Sequence, residues 1–119
     1  MTEPDAAAAL SKHVAAFNSR DLDALMAGFT EDASWVTGTS VARGHDELTE
    51  LFAGAMAGLL PTLSIENLLA DGDRAACQLT ETLTFEGEER MYSIAGFYRL
   101  RDGRIASAKI YREGSAELA

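Results

Sequence analysis

Three consecutive strands are encoded by residues 74–112, which read RAACQLTETLTFEGEERMYSIAGFYRLRDGRIASAKIYR. Apolar and polar side chains alternate along most of this stretch, as they do on strands that bury one face. The alternation is interrupted at residues 86–89 (EGEE) and at Asp102-Gly103, and glycine-containing turns of this kind favour antiparallel hairpins. The predicted strands lie near 74–86, 90–101 and 104–112, and they should pair in chain order.

Two further strands are expected upstream of this stretch. One lies near 63–70, because Asp71-Gly72-Asp73 is another turn signal. The other covers residues 33–37 (ASWVT) and enters a loop that contains glycine and threonine.

The first half of the chain has the periodicity of helices. Apolar side chains three and four residues apart predict an amphipathic helix from about Asp5 to Asn18 and a short second helix, capped by Ser19 or Asp21. A third helix should follow Gly44 and stop before Pro61. The predicted stripes are Leu10, His13, Val14 and Phe17 in the first helix, Leu22, Leu25, Met26 and Phe29 in the second, and Leu48, Leu51, Phe52, Ala55 and Leu59 in the third.

Helices followed by a run of hairpins indicate an α+β protein. We expect three N-terminal helices on one face of a curved, mostly antiparallel sheet. No repeat or linker divides the chain, so residues 1–119 are predicted to form a single domain. Residues 114–119 are predicted to be a loose tail.

Glu81 is the residue that most needs an explanation. Strand alternation puts it on the buried face, together with Cys77, Leu79, Leu83 and Phe85. Burial of a carboxylate without a partner costs several kcal/mol or forces the group to keep its proton. Two interpretations stay open: Glu81 is an acid or base in a functional site, or it forms an ion pair with an arginine from a neighbouring strand.

Composition narrows the possible partners and location. The formal net charge of -9 argues against binding to nucleic acid or to an anionic membrane, because both reward clustered Lys and Arg. The N-terminal residues contain no long apolar run, so a cytoplasmic protein is expected. The two histidines and the single Cys77 lack the spacing of a metal site, and no glycine-rich loop opens a helix after a strand. We therefore predict that the protein uses no cofactor.

Several segments together resemble the SnoaL-like and ketosteroid-isomerase-like branch of the nuclear transport factor 2-like superfamily. The resemblance implies a cone in which helices and a bent sheet enclose an apolar pocket for a small hydrophobic ligand. It also implies a homodimer that forms through the outer face of the sheet, where Met91, Ala95 and Phe97 are expected. The segments that carry the resemblance are residues 13–25 (HVAAFNSRDLDAL), 29–36 (FTEDASWV), 44–48 (GHDEL) and 97–105 (FYRLRDGRI).

The resemblance does not extend to the catalytic residues of ketosteroid isomerase, which are an Asp base and an oxyanion hole of Tyr plus a protonated Asp. Thr37 stands at the position of the base, Gly96 at that of the protonated Asp and His13 at that of the Tyr. Steroid isomerisation by that mechanism is therefore not expected. The resemblance does put His13 and Glu81 in the pocket, and it turns the face that carries Arg112 toward the same space.

Alternation supplies the remaining pocket candidates. If Gly96 faces inward, Tyr98 does too, and its phenol could donate a hydrogen bond to an oxyanion or be an ordinary core tyrosine. Trp35 could orient a ligand through its indole N–H, and Arg112 could be the partner of Glu81. The predicted catalytic residues are Glu81, His13 and Tyr98, and the predicted pocket residues are Phe17, Trp35, Thr37, Cys77, Leu79, Leu83, Phe85, Tyr92, Ile94, Gly96 and Arg112.

Two classes of function are compatible with these residues. The first is a cofactor-independent enzyme that moves protons on a polyketide-, terpenoid- or steroid-like substrate, by isomerisation, cyclisation, dehydration or epoxide opening. His13 and Glu81 would then be the acid–base pair, and Tyr98 or Trp35 would polarise an oxygen. The second is a non-catalytic module of the same fold that binds a small molecule or a second copy of the chain.

Overall fold

The computed structural model describes residues 6–57 and 61–112, and within them it contains the helices followed by strands that the sequence predicts. The helices are α1 (Ala6–Asn18), α2 (Leu22–Ala27) and α3 (Gly44–Ala57). The strands are β1 (Phe29–Thr37), β2 (Ser40–Arg43), β3 (Thr62–Asp71), β4 (Arg74–Phe85), β5 (Glu88–Arg101) and β6 (Arg104–Arg112). The predicted start at Asp5 and the tail at residues 114–119 lie outside the described residues.

All six described strands form one sheet in the order β2-β1-β6-β5-β4-β3. Neighbouring strands are antiparallel except for β1 and β6, which are parallel, so the prediction of a mostly antiparallel sheet is confirmed. The turn between β5 and β6 has positive φ at both Asp102 (54°) and Gly103 (78°). That conformation characterises the two-residue hairpin turn for which Asp-Gly is the typical sequence.

The helices cover one face of this sheet, as predicted. α1 packs on β3 and α3 packs on β1, while the short α2 contacts both longer helices. Asp21 caps α2, because its carboxylate accepts a hydrogen bond from the backbone N–H of Ala24 at 3.1 Å. The most completely buried large side chains come from both layers and join them into one core: Leu10, Leu25, Phe29, Leu48 and Ile105.

Phe29 corrects the predicted end of the second helix. It was expected on the stripe of that helix, but α2 ends at Ala27, and Phe29 is the first residue of β1. The N–H of Gly28 caps the helix on the carbonyls of Leu25 and Met26, and its own carbonyl accepts the N–H of Ile105 at 2.8 Å. This bond to the second residue of β6 directs the chain into the sheet.

The strand β2 was not predicted. The segment after Thr37 was expected to be a loop, but Gly38 and Thr39 form a two-residue turn, and Ser40 pairs with Thr37. Gly38 has a φ of 60°, which a hairpin turn with glycine in its first central position requires. Separately, none of the helices in residues 6–57 is long and apolar enough to cross a membrane.

Candidate functional site

A cavity of about 180 Å³ lies between the helices α1 and α3 and the covered face of the sheet. Most of its wall is apolar, and the polar groups that interrupt it are among the residues singled out in the sequence. The predicted site residues that line it are His13, Phe17, Trp35, Thr37, Leu79, Glu81, Ile94, Tyr98 and Arg112.

Four of the predicted pocket residues lie outside the wall of this cavity, and for a fifth, Phe85, the side chain is not described. Cys77 and Gly96 are buried beneath the side chain of Tyr98, whose hydroxyl lies within 3.8 Å of the Cys77 sulfur. Tyr92 is covered by the guanidinium of Arg112, whose central carbon is 5.2 Å from the ring centroid. Leu83 is buried farther along β4, and the side chain of Phe85 lies outside the described residues.

Phe52 is the important wall residue that the sequence did not identify as such. Its ring lies 5.1 Å from that of Trp35, 5.7 Å from that of Phe29 and 6.1 Å from that of His13, measured between centroids. The helical stripe on α3 did predict that Phe52 points inward. Periodicity does not state which residues of other elements a buried side chain will contact.

Arg112 is the partner of Glu81. Glu81 pairs with Tyr92 across β4 and β5, whereas Arg112 pairs with Ile94 across β5 and β6. The guanidinium therefore crosses β5 diagonally, above the ring of Tyr92, and its Nη2 donates to Oε1 of Glu81. Only 11 % of the Glu81 side chain is exposed, compared with 38 % of the Arg112 side chain, so the pair has a buried end and a solvated end.

Two opposing effects act on the carboxylate. Burial raises the pKa of Glu81 by penalising its charged form, and the charge and hydrogen bond of Arg112 lower it, with burial the larger effect. A carboxylate with a raised pKa is a stronger base than an exposed one. The pair thus presents a carboxylate oxygen toward a mostly apolar space.

His13 lies among aromatic rings at the other side of the cavity. The rings of Phe29 and Trp35 lie 5.6 and 5.5 Å from it between centroids. Desolvation lowers the pKa of His13 to about 4, so the imidazole is neutral at pH 7. No described residue hydrogen-bonds to this ring, and neither of its nitrogens is a buried atom without a partner. The ring can therefore offer one donor and one acceptor to a ligand.

Trp35 and Tyr98 complete a group of three polar rings with His13. The centroid of Trp35 lies 6.2 Å from that of Tyr98, and the centroid of His13 lies 6.4 Å from the latter. Burial raises the pKa of Tyr98 far above its ordinary value, so the phenol stays protonated. Each of the three rings thus carries an N–H or O–H group at neutral pH, and this end of the cavity is rich in hydrogen-bond donors.

Glu81 and His13 lie toward different ends of the cavity. Glu81 pairs with Tyr92, and Tyr98, beside His13, is six residues farther along β5. Six residues of strand span about 20 Å between α-carbons. Tyr98 shortens the gap, because its hydroxyl leans back over Gly96 toward Glu81. His13 and Glu81 hence share one cavity without contacting each other.

A metal site does not form among these side chains. Within residues 6–57 and 61–112, no three His, Cys, Asp or Glu side chains come together closely enough to hold a metal ion. The second histidine, His45, is half-buried outside the cavity wall, and its Nε2 lies 3.3 Å from the carbonyl oxygen of Phe29.

Solved structures with the same fold include an enzyme and proteins without an assigned activity. An LEH-like epoxide hydrolase of Mycobacterium tuberculosis is 21% identical, with a TM-score of 0.83 over 93% of this chain and 84% of that chain. An NTF2-like protein of unknown function from Burkholderia pseudomallei is 18% identical, with a TM-score of 0.82 over 90% and 89%. A protein with a ketosteroid isomerase-like fold from Catenulispora acidiphila, in complex with trimethylamine, is 19% identical, with a TM-score of 0.79 over 92% and 86%.

These identities establish the fold alone, since one fold hosts many reactions. No curated protein has detectable sequence similarity to the chain. The sequence model of the SnoaL-like domain does match, and it covers residues 10–108, from the middle of α1 into β6. Because that match covers most of the sequence and the architecture agrees with it, the chain belongs to the SnoaL-like family of the nuclear transport factor 2-like superfamily.

Proposed function

We propose that the protein is a cofactor-independent acid–base enzyme that moves a proton on a small, mostly apolar substrate, with Glu81 as the general base. One observation carries the proposal. A carboxylate on an otherwise apolar strand face lines a cavity, has a pKa raised by burial, and is hydrogen-bonded by Arg112 through only one of its two oxygens. Buried acids with shifted pKa values in a cavity are typical of active sites.

The chemistry that follows from this arrangement is a proton transfer between carbon atoms. Glu81 removes a proton from a carbon that is conjugated with a ketone, and the electron pair moves to the oxygen as an enolate forms. The donor-rich end of the cavity stabilises the charge on that oxygen through the O–H or N–H groups of Tyr98, Trp35 and His13. Glu81 then returns the proton to a different carbon of the conjugated system, which completes an isomerisation without a cofactor.

The separation of base and donors favours an extended substrate. The Tyr98 hydroxyl lies at the level of Gly96, four residues along β5 from the partner of Glu81, or about 13 Å of strand. A fused-ring polyketide-, terpenoid- or steroid-like compound can contact both groups if its conjugated system extends from the carbon at Glu81 to the oxygen at Tyr98. Cyclisation, dehydration and epoxide opening also need a base at one atom and a donor at an oxygen, so they belong to the same proposal.

The direct test is proton exchange on a model ketone. 2-Tetralone is incubated with the protein in D₂O, and loss of its α-proton signals is followed by NMR. We expect exchange faster than in buffer of the same pH, since removal of the α-proton needs only the base. If neither 2-tetralone nor a panel of fused cyclic ketones and epoxides reacts faster than in buffer, the proposal is wrong.

The wall predicts the class of ligand. Apolar side chains such as Phe17, Leu79 and Ile94 form most of it, and the cation among its described residues, Arg112, is already paired with Glu81. An uncharged ring compound should therefore raise the melting temperature, whereas nucleotides and sugar phosphates should not. A thermal-shift screen of terpenoids, steroids and polyketide fragments against the phosphorylated set checks this. Stabilisation by the phosphorylated set alone would contradict it.

A non-catalytic binding module is the second candidate. The ion pair favours it, because Arg112 gives Glu81 a structural partner and a buried carboxylate with a partner needs no catalytic role. Ligands that stabilise the protein in the screen, combined with no reaction of any ketone or epoxide, would select this candidate.

A homodimer through the outer face of the sheet is expected for either candidate. Phe97 and Tyr111 are 56 % and 53 % exposed there and contact each other with centroids 5.9 Å apart, and Met91 on the same strand is 58 % exposed. A patch of large apolar side chains of this kind marks an association surface. Sedimentation equilibrium at micromolar concentration should give twice the mass of the chain, and Phe97→Glu should give the monomer.

The control for this surface is Val41→Glu. Val41 is also exposed and apolar, at 47 %, but it lies on β2 at the opposite edge of the sheet from β3. This variant should remain a dimer. If the wild-type protein is a monomer at micromolar concentration, the prediction of a homodimer is wrong.

A further inference from the structure

Tyr98 occupies the space in which a side chain of residue 96 would lie. Residues 96 and 98 share the inward face of β5, and Gly96 has no side chain. A Cβ built on Gly96 would lie 2.4 Å from the hydroxyl oxygen of Tyr98 and 2.6 Å from its Cε1 and Cζ atoms. Real Cβ atoms do not approach other atoms so closely. The phenol can therefore lie flat along the strand only because residue 96 is glycine.

Cys77 fixes the other side of the same hydroxyl. It pairs with Gly96 across β4 and β5, and its thiol donates a hydrogen bond to the Tyr98 oxygen, with the sulfur and oxygen atoms 3.8 Å apart. Because the oxygen accepts this bond, its own proton remains to be donated. Among the described residues none accepts that proton. The phenol lines the cavity while only 5 % of the residue is exposed, so a ligand oxygen there would meet an O–H group away from bulk water.

We propose that Tyr98 donates the hydrogen bond that stabilises the oxyanion of the substrate, and that Gly96 and Cys77 are positioning residues that hold its hydroxyl in place. This inference rests on the proposed function, to which it adds the identity of the oxygen donor and of the two residues that aim it. It selects Tyr98 over Trp35 and His13, because only its polar atom is fixed by a described partner.

The electrostatics of the group agree with this role. Desolvation raises the pKa of Tyr98, and the nearby Cys77 raises it further, so the phenol keeps its proton while an anionic oxygen binds. A donor that is held in place in an enclosed site stabilises a developing charge more strongly than water does, because it does not have to reorient.

The test uses 4-nitrophenol as a probe for an oxyanion, since its phenolate has a distinct absorbance. Titration of the wild-type protein with the probe at several pH values gives the pKa of the bound probe. We expect bound phenolate to be favoured over bound phenol, so that the probe has a lower pKa when bound than when free. Tyr98→Phe should weaken phenolate binding by roughly 10- to 100-fold, as expected for a lost hydrogen bond to a charged group.

Variants of Gly96 and Cys77 distinguish an effect on the orientation of the Tyr98 hydroxyl from a general loss of stability. Gly96→Ala should reduce the preference for phenolate as far as Tyr98→Phe does, because the new methyl group displaces the phenol. Gly54→Ala on α3 is the matched control, since a Cβ there meets nothing within 4 Å. Cys77→Ala should also lower the preference, because it removes the thiol that holds the hydroxyl. This second variant keeps the proposal testable even if Gly96→Ala does not fold.

The outcome is independent of the base. Phenolate binding is also measured in Glu81→Gln, where the preference should persist or increase, because the donor is untouched and a negative charge in the cavity is removed. If wild-type protein exchanges 2-tetralone protons but Tyr98→Phe binds phenolate as tightly as wild type does, the donor assignment falls and the proposed function stands. If phenolate binding depends on Tyr98 and no exchange of 2-tetralone protons occurs, the donor assignment stands and the proposed function falls. Absence of any phenolate preference in the wild-type protein overturns the inference.

Discussion

Glu81→Gln should lower the rate of proton exchange on 2-tetralone by roughly 10²- to 10⁴-fold, the usual contribution of a positioned general base. The amide has nearly the same volume as the carboxylate and can still accept a hydrogen bond from Arg112, so the cavity should keep its shape. The variant has no basic oxygen in the cavity, however, because Arg112 and the neutral rings at the other end cannot replace it.

The control for this variant is Glu66→Gln. Glu66 lies on the neighbouring strand β3, is exposed, and accepts a hydrogen bond from Thr80 at 3.0 Å. Its neutralisation changes the net charge by the same amount without touching the cavity. Equal exchange rates in Glu81→Gln and Glu66→Gln would show that Glu81 is not the base.

The stability of Glu81→Gln tests the structural role of the ion pair. Loss of one partner costs about 3–5 kcal/mol when both charges are fully buried and about 0.2–1 kcal/mol when both are exposed. Because 38 % of the Arg112 side chain is exposed, water can solvate the unpaired guanidinium, and we expect a loss between these limits. A loss of the fully buried size, together with unchanged exchange, would identify the pair as purely structural.

Much of this site could be predicted from strand alternation. The period of two puts Glu81 on the buried face of β4 and Tyr98 on that of β5, and both side chains are buried there. The family pattern turned Arg112 toward the same space, where it forms the ion pair. These positions could be predicted from sequence because a strand side chain has only two possible orientations, toward the core or toward solvent.

The remaining features depend on which side chain covers which. Alternation predicts that Cys77, Gly96 and Tyr98 all face inward. The phenol of Tyr98 nevertheless lies over the other two residues and separates them from the cavity. Likewise, periodicity alone allowed Phe29 to continue a helix, whereas the capped Gly28 and its bond to Ile105 start a strand there. Tertiary hydrogen bonds of this kind override local preference, and a single sequence does not report them.

Acidification should destabilise the protein through His13 by about 3 kcal/mol between pH 6.5 and pH 4. Burial lowers the pKa of His13 to about 4 in the folded protein, from 6.5 in the unfolded chain. Between these values the unfolded chain binds a proton that the folded protein does not, so the free energy of unfolding falls as the pH falls. The full stability is present well above pH 6.5, and urea denaturation at pH 7 and pH 4 measures the difference.

Two variants assign this loss to His13. His13→Phe keeps a ring among Phe29, Trp35 and Phe52 but cannot bind a proton, so its stability should fall less on acidification than that of the wild type. His45→Gln removes the other histidine, which lies outside the cavity, and should keep the wild-type loss. Glu81 acts with the opposite sign, since an acid whose pKa is raised by folding stabilises the protein at low pH, but it is present in both variants and cancels in the comparison. If His13→Phe and wild type lose the same free energy, the imidazole is not held neutral by burial, and it could then serve as a proton donor at neutral pH.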